Sequence, residues 1–124
     1  MRMISVIIPA YNEEDSIRST VTYVYANAAY KRFISEVIIV DCGSTDNTIV
    51  EAQKTPATIV YCRQKNRAAQ LNFGAKHATG KILYFLHPKS LPPETFKAYC
   101  CAIPVWSKYL VISSLISWFA RYSN

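Results

Sequence analysis

Residues able to do chemistry gather in three short polar clusters, each placed directly after an apolar run. The clusters are Pro9-Ala10-Tyr11-Asn12-Glu13, Asp41-Cys42-Gly43-Ser44-Thr45-Asp46 and His87-Pro88-Lys89-Ser90. The first offers a rigid turn with backbone groups at Pro9 and Ala10 and an aromatic face at Tyr11. Glu13 could accept hydrogen bonds from ribose hydroxyls, or serve only as a carboxylate at a helix start. Asp41 could accept an N–H from a base, whereas Asp46 reads better as a first-turn helix residue than as a ligand. Arg67, with Lys65 beside it, opens a helix-like stretch where backbone N–H groups and a guanidinium could face a diphosphate. A solvated surface is the alternative for either cation. No GxGxxG follows the first apolar run and no Walker loop occurs, which excludes the ordinary dinucleotide and P-loop sites.

The elements that must position these clusters are legible from patterning. Apolar runs at 4–8, 37–40, 58–61 and 82–86 are β-branched or aromatic at successive positions, as in strands buried on both faces of a parallel sheet. Ile17, Val21, Val24 and Ala28 recur at helical spacing after Glu13-Glu14-Asp15. Ser44 or Thr45 is placed to cap a short helix reaching about Lys54. A third helix is predicted over 66–78, with Gly80 ending it in the left-handed conformation. Strands alternating with helices predict right-handed crossovers and a doubly wound α/β fold. In such sheets ligands bind outside the carboxyl ends of the strands, so the three clusters should meet on one edge.

Composition narrows the class. The chain has 124 residues, 51% hydrophobic and 18% charged, which suits one folded domain and excludes a disordered one. No window of eighteen uninterrupted apolar residues and no cleavable leader is visible, so the expectation is a cytoplasmic domain. Of the net charge of +6, residues 1–62 carry −2 and residues 63–97 carry +6. That asymmetry suits a phosphate-bearing partner, or marks a solvated basic face. Cys42, Cys62, Cys100 and Cys101 form no CxxC or zinc spacing, and buried reduced thiols are the expectation. In the 99–124 tail, Trp106, Tyr109, Ile112, Ile116 and Phe119 recur at helical intervals. The tail is therefore read as an apolar helix following a 1–98 domain. It could dock on the sheet, or contact a membrane surface, a partner chain or a second copy.

Four stretches together resemble a known family. They are Ile4-Ser5-Val6-Ile7-Ile8-Pro9-Ala10-Tyr11-Asn12-Glu13-Glu14, Glu36-Val37-Ile38-Ile39-Val40-Asp41-Cys42-Gly43-Ser44-Thr45-Asp46-Asn47-Thr48, Asn66-Arg67-Ala68-Ala69-Gln70-Leu71-Asn72-Phe73-Gly74-Ala75 and Ile82-Leu83-Tyr84-Phe85-Leu86-His87-Pro88-Lys89-Ser90-Leu91-Pro92-Pro93. In this order and spacing they resemble the family-2-type glycosyltransferases. The closer likeness is to a bacterial subgroup whose metal motif reads His-Ala-Asp. The resemblance implies a Rossmann-like GT-A nucleotide-binding half, a mostly parallel sheet of about four strands flanked by helices. It further implies transfer of a hexosyl group from a nucleotide-diphosphate sugar to an acceptor that the sequence does not identify. Nucleotide binding falls to Pro9, Ala10, Tyr11, Glu13, Asp41, Arg67 and Lys89.

Two departures stand out. The position of Lys89 is normally an Asp that binds Mg²⁺ or Mn²⁺, and a protonated Lys cannot ligate a hard cation. Either its ammonium stands against the diphosphate in place of the metal, or the donor site has decayed. His87 is the remaining candidate metal ligand. After Glu94 the sequence holds no acidic residue, so no C-terminal carboxylate is available as general base. The chain therefore reads as a shortened copy, weak or inactive alone, with a non-catalytic nucleotide-binding or assembly module as the alternative. Nucleic-acid binding is disfavoured because Phe73, Tyr84 and Phe85 fall in core patterns rather than exposed stacking positions.

Overall fold

The structure, a computed structural model, describes residues 4–27, 31–64, 66–89 and 110–113. Strands β1 (Ile4–Ala10), β2 (Ile34–Asp41), β3 (Thr58–Tyr61), β4 (Ile82–Phe85) and β5 (Leu110–Ser113) form one sheet ordered β3-β2-β1-β4-β5. Every neighbouring pair is parallel. Helices α1 (Ile17–Ala26), α2 (Thr48–Gln53) and α3 (Arg67–His77) lie in the crossovers.

Side chains alternate across the sheet, which explains the unbroken apolar runs. Ile4, Val6, Ile8 and Ala10 of β1 join Val37, Ile39, Ile82 and Tyr84 in a core with Ile17, Val21 and Val24 of α1 and Ala52 of α2. The intervening Ile7, Ile38 and Val40 face the other way, toward Leu71 and Phe73 of α3 and Leu83 and Phe85 of β4. Gly74 lets α3 approach closely. A Cβ there would lie 2.6 Å from Ile7 Cγ2 and 2.7 Å from Val40 Cγ2, both on stiff β-branched side chains.

Three local expectations differ from what forms. The short helix begins at Thr48 behind Asn47, because Ser44 and Thr45 spend their hydroxyls on Asp41 and Asn12 instead of capping. Helix α3 ends at Ala78 in extended conformation, and Gly80 is not left-handed; its N–H donates to Ser5 Oγ at 2.8 Å. In the tail expected to be helical, residues 110–113 are strand β5, pairing Ile82 with Leu110 and Phe85 with Ser113. Without it β4 would leave its outer edge unpaired, and an apolar Leu-Val-Ile run suits that edge better than a lone helical turn. This segment therefore belongs to the same sheet rather than to a separate tail. Ala28, Lys65, residues 90–109 and the rest of the tail lie outside the described residues.

Two polar clamps hold the sheet at its opposite ends. At the amino end, Glu36 Oε2 accepts from Ser5 Oγ at 2.8 Å, from Thr79 N at 2.7 Å and from the Thr79 hydroxyl. At the carboxyl end, Gln70 is 7% exposed, and its Nε2 donates to Ala10 O at 3.1 Å and Val40 O at 2.8 Å. These carbonyls lie at the last rungs of the β1–β2 ladder, where Ala10 O also accepts from Cys42 N at 3.1 Å, so the buried amide is satisfied and ties α3 to the strand ends.

Each clamp yields a prediction. Partial burial pushes the Glu36 carboxyl up, but the Thr79, Ser5 and Gly80 hydrogen bonds outweigh it and hold it below its ordinary value of 4.5. A lowered folded value stabilises fully above pH 4.5 and is lost as pH falls through the folded value. The urea midpoint of Glu36→Gln should thus lie below wild type at pH 7 and converge with it under acid. For Gln70→Ala we expect a loss of about 1–3 kcal/mol by urea unfolding. Gln70→Glu should be worse at pH 7, where its carboxylate faces two carbonyls, and should recover relative to Ala as acid restores a donor.

Candidate functional site

The first two polar clusters are locked to one another across the ends of β1 and β2. Asn12 adopts a left-handed conformation at φ 52°, which aims its side chain at the second loop. Its Oδ1 accepts from Thr45 N at 2.8 Å, and its own N–H donates to Ser44 Oγ at 3.0 Å. Glu13 N donates to Thr48 Oγ1 at 2.8 Å, Glu14 N to Asp46 Oδ2 at 3.3 Å, and Asn47 N to Glu14 Oε2 at 3.0 Å. Asp46 also accepts from Thr48 N at 2.9 Å and from the Thr48 hydroxyl. Slight desolvation pushes the Asp46 carboxyl up, and the bonds from Thr48 and Glu14 outweigh it, leaving it below the usual range. Asp46 therefore belongs to the loop before α2, not to the helix's first turn as expected, because the helix starts at Thr48 behind Asn47.

Asp41, expected to accept from a base, lies at the end of β2. It is 1% exposed, and its carboxylate accepts from Gly43 N at 3.0 Å, Ser44 N at 3.1 Å and Ser44 Oγ at 2.5 Å. Gly43, at φ 80°, makes the sharp turn that brings these donors back. The carboxylate bonds to its own turn and is not among the residues that line the cleft.

What the locked loops leave open is a cleft of about 300 Å³ lined by Pro9, Ala10, Tyr11, Glu13, Cys42, Arg67 and Gln70. Five of these, Pro9, Ala10, Tyr11, Glu13 and Arg67, are expected site residues brought together from β1 and α3. Tyr11 is 44% exposed and presents an aromatic face. Arg67 is the first residue of α3, but the N–H groups of Ala68 and Ala69 behind it are taken by the Asn66 side chain at 2.8 and 3.4 Å. Positive charge at this helix start therefore comes from the guanidinium rather than from open backbone amides.

The third cluster lies at the same sheet edge, since Leu86 N donates to Ile7 O at 3.0 Å, but it is drawn toward α1. Thr20 Oγ1 donates to Pro88 O at 2.5 Å in a buried contact. Lys89 is exposed and does not line the cleft. Its backbone N–H donates to His87 Nδ1 at 3.2 Å. Among the described residues no three His, Cys, Asp or Glu side chains group to hold a metal ion. With Lys89 as its neighbour, this donor set does not fit Mg²⁺ or Mn²⁺.

Gln70 and Cys42 are cleft residues that the sequence reading missed. The signal was there for Gln70: it shares the sheet-facing stripe of α3 with Gly74, one turn on, where an unpaired amide would be expensive. Tyr84 is buried in the core, while Phe73 and Phe85 are partly buried against it, with Phe73 also lining a second cleft. Among the described residues no helix is long and apolar enough to cross a membrane.

Comparison with known proteins matches this geometry. The family model described as glycosyl transferase family 2 covers residues 5–90. Glycosyltransferase AglE of Haloferax volcanii is 33% identical over 97 residues, covering 73% of this chain and 32% of its own length. The minor teichoic acid biosynthesis protein GgaB of Bacillus subtilis is 30% identical over 95 residues, covering 73% of this chain and 11% of that protein. Among solved structures, glucosyl-3-phosphoglycerate synthase from Mycobacterium tuberculosis, in complex with Mn²⁺, UDP and glucosyl-3-phosphoglycerate, aligns with a TM-score of 0.65 and 26% identity. That alignment covers 79% of this chain and 38% of the synthase. The same enzyme with Mg²⁺ and UDP aligns equally well, at a TM-score of 0.65. The chain spans about a third or less of the length of these curated relatives. The strand order, the cleft at the carboxyl ends and a family match over more than half of the sequence agree: this chain belongs to glycosyl transferase family 2.

Proposed function

We propose that this chain binds a nucleotide-diphosphate sugar and presents it for glycosyl transfer to an acceptor hydroxyl. The observation that carries the reading is the cleft itself, where Tyr11, Glu13 and Arg67 converge beside the rigid Pro9-Ala10 backbone. Tyr11 stacks on the base, and Glu13 accepts from the ribose hydroxyls. Arg67 meets the diphosphate through its guanidinium fork. Asp41 acts as a positioning residue by holding the turn that carries Cys42. From the cleft the diphosphate runs along the carboxyl edge toward the exit of β4, where the exposed Lys89 ammonium adds the second positive charge.

In the transfer the bond from the sugar to the diphosphate breaks, the acceptor oxygen takes its place, and the acceptor proton passes to a base. Arg67 and Lys89 stabilise the leaving diphosphate electrostatically. Lys89, which when protonated cannot ligate a hard cation, favours a second reading, a nucleotide-binding module without turnover.

Calorimetric titration of the full chain with UDP and GDP, with and without Mn²⁺, tests the reading. The expected result is binding of one nucleotide in the absence of metal. Arg67→Ala should weaken it about tenfold or more, and Lys89→Ala should weaken it as well. Binding only with Mn²⁺ would overturn the role of Lys89. Failure of both nucleotides under both conditions would overturn the binding reading, and binding without release of nucleotide diphosphate from a donor sugar would select the module.

A further inference from the structure

We propose that Cys42 and Cys62 form a dithiol site that closes to a disulfide across the carboxyl ends of β2 and β3. The last paired residues of these strands are Asp41 and Tyr61, so the two cysteines are the next residues of a parallel ladder. That ladder continues through Cys62 N, which donates to Asp41 O at 2.8 Å. Neighbouring strands run about 4.8 Å apart, inside the Cα separation of about 4.4–6.8 Å that disulfides adopt.

The thiols also converge. Cys42 Sγ donates to Gln64 O at 2.8 Å and Cys62 Sγ reaches the same oxygen at 3.6 Å. The two sulfurs are therefore no more than 6.4 Å apart, the sum of those distances. Neither residue is in a disulfide.

Access comes from the Cys62 side. Cys42 is 3% exposed, but Cys62 is half-buried and lines a second cleft of about 570 Å³ with Tyr61, Arg63, Gln64 and Lys76. Arg63 and Lys76 suit this cleft to an anionic oxidant, and a small peptide disulfide such as oxidised glutathione has that charge. The Cys62 thiolate attacks one sulfur of the oxidant, its S–S bond breaks, and one peptide thiol leaves with a proton. Cys42, deprotonated in turn, attacks the Cys62 sulfur and releases the second peptide thiol. The protein loses two hydrogens and the oxidant gains them. Because Cys42 also walls the nucleotide cleft, the bridge ties that wall to β3. The proposal does not depend on what fills the cleft.

Oxidation of the full chain by glutathione disulfide, followed by alkylation and peptide mass mapping, tests this. The expected product is a monomer lighter by two hydrogens, with one peptide joining Cys42 to Cys62. Both of these thiols should be lost to alkylation and recovered with dithiothreitol. In Cys62→Ser the linked peptide should vanish and Cys42 should alkylate after unfolding. A glutathione adduct that persists on Cys62, a link from either residue to Cys100 or Cys101, or both thiols remaining alkylatable would each overturn the proposal.

Discussion

The carboxyl edge of the sheet depends on the buried side-chain amide of Gln70, which reaches Ala10 O and Val40 O from α3, a second donor for an Ala10 carbonyl that also accepts from Cys42 N. The reach of a glutamine side chain is short, so α3 must press close against β1 and β2. Gly74 permits the approach, since any Cβ there would strike Ile7 and Val40. Helix position and glycine thus go with one contact, the Gln70 amide on two strand-end carbonyls. The same helix placement brings Arg67, one turn before Gln70, to the cleft wall.

The polar residues of the site divide into those that bond across the two loops and those that line the cleft. Asn12, Ser44, Thr45, Asp46 and Thr48 bond mainly to one another or to the backbone across the two loops, and Asp41 bonds to its own turn. A left-handed Asn12 costs of order 1 kcal/mol, which its bonds to the Ser44–Thr45 segment offset. Rigidity matters because a loosely held cleft loses its contacts to ordering entropy. The scaffold leaves Tyr11, Glu13 and Arg67 facing the cleft, a small set able to stack, accept and pair with an anion.

Much of this was legible in the sequence, and the failures have a common cause. Strands such as 4–8 and 82–86 were readable because burial on both faces writes itself as consecutive apolar residues. Helix α3 was readable from Asn66 to Ala78 because a cap and a periodic face are local features. A carboxylate at a strand end such as Asp41 looks the same in sequence whether it meets a ligand or its own turn. Thr45 as a helix cap failed because its competing partner, Asn12, lies 33 residues away. Strand β5 was hidden by a helical periodicity that the open edge of β4 overrode, a tertiary preference that no local pattern records.

The charge needed at the diphosphate is the sharpest consequence of Lys89. At a separation of about 4 Å, two unit charges gain about 1 kcal/mol in water and about 4 kcal/mol near a protein surface. An exposed ammonium lies toward the lower figure, whereas a coordinated dication sits directly on the oxygens it neutralises. On the proposed reading, Arg67 and Lys89 together suffice to hold a nucleotide diphosphate but stabilise its departure less than a bridging metal would. Their attraction is also open to solvent, so it weakens as ionic strength shortens the Debye length from about 10 Å at 0.1 M toward about 3 Å at 1 M. On that reading, charge and exposure together favour retention of the donor over rapid cleavage.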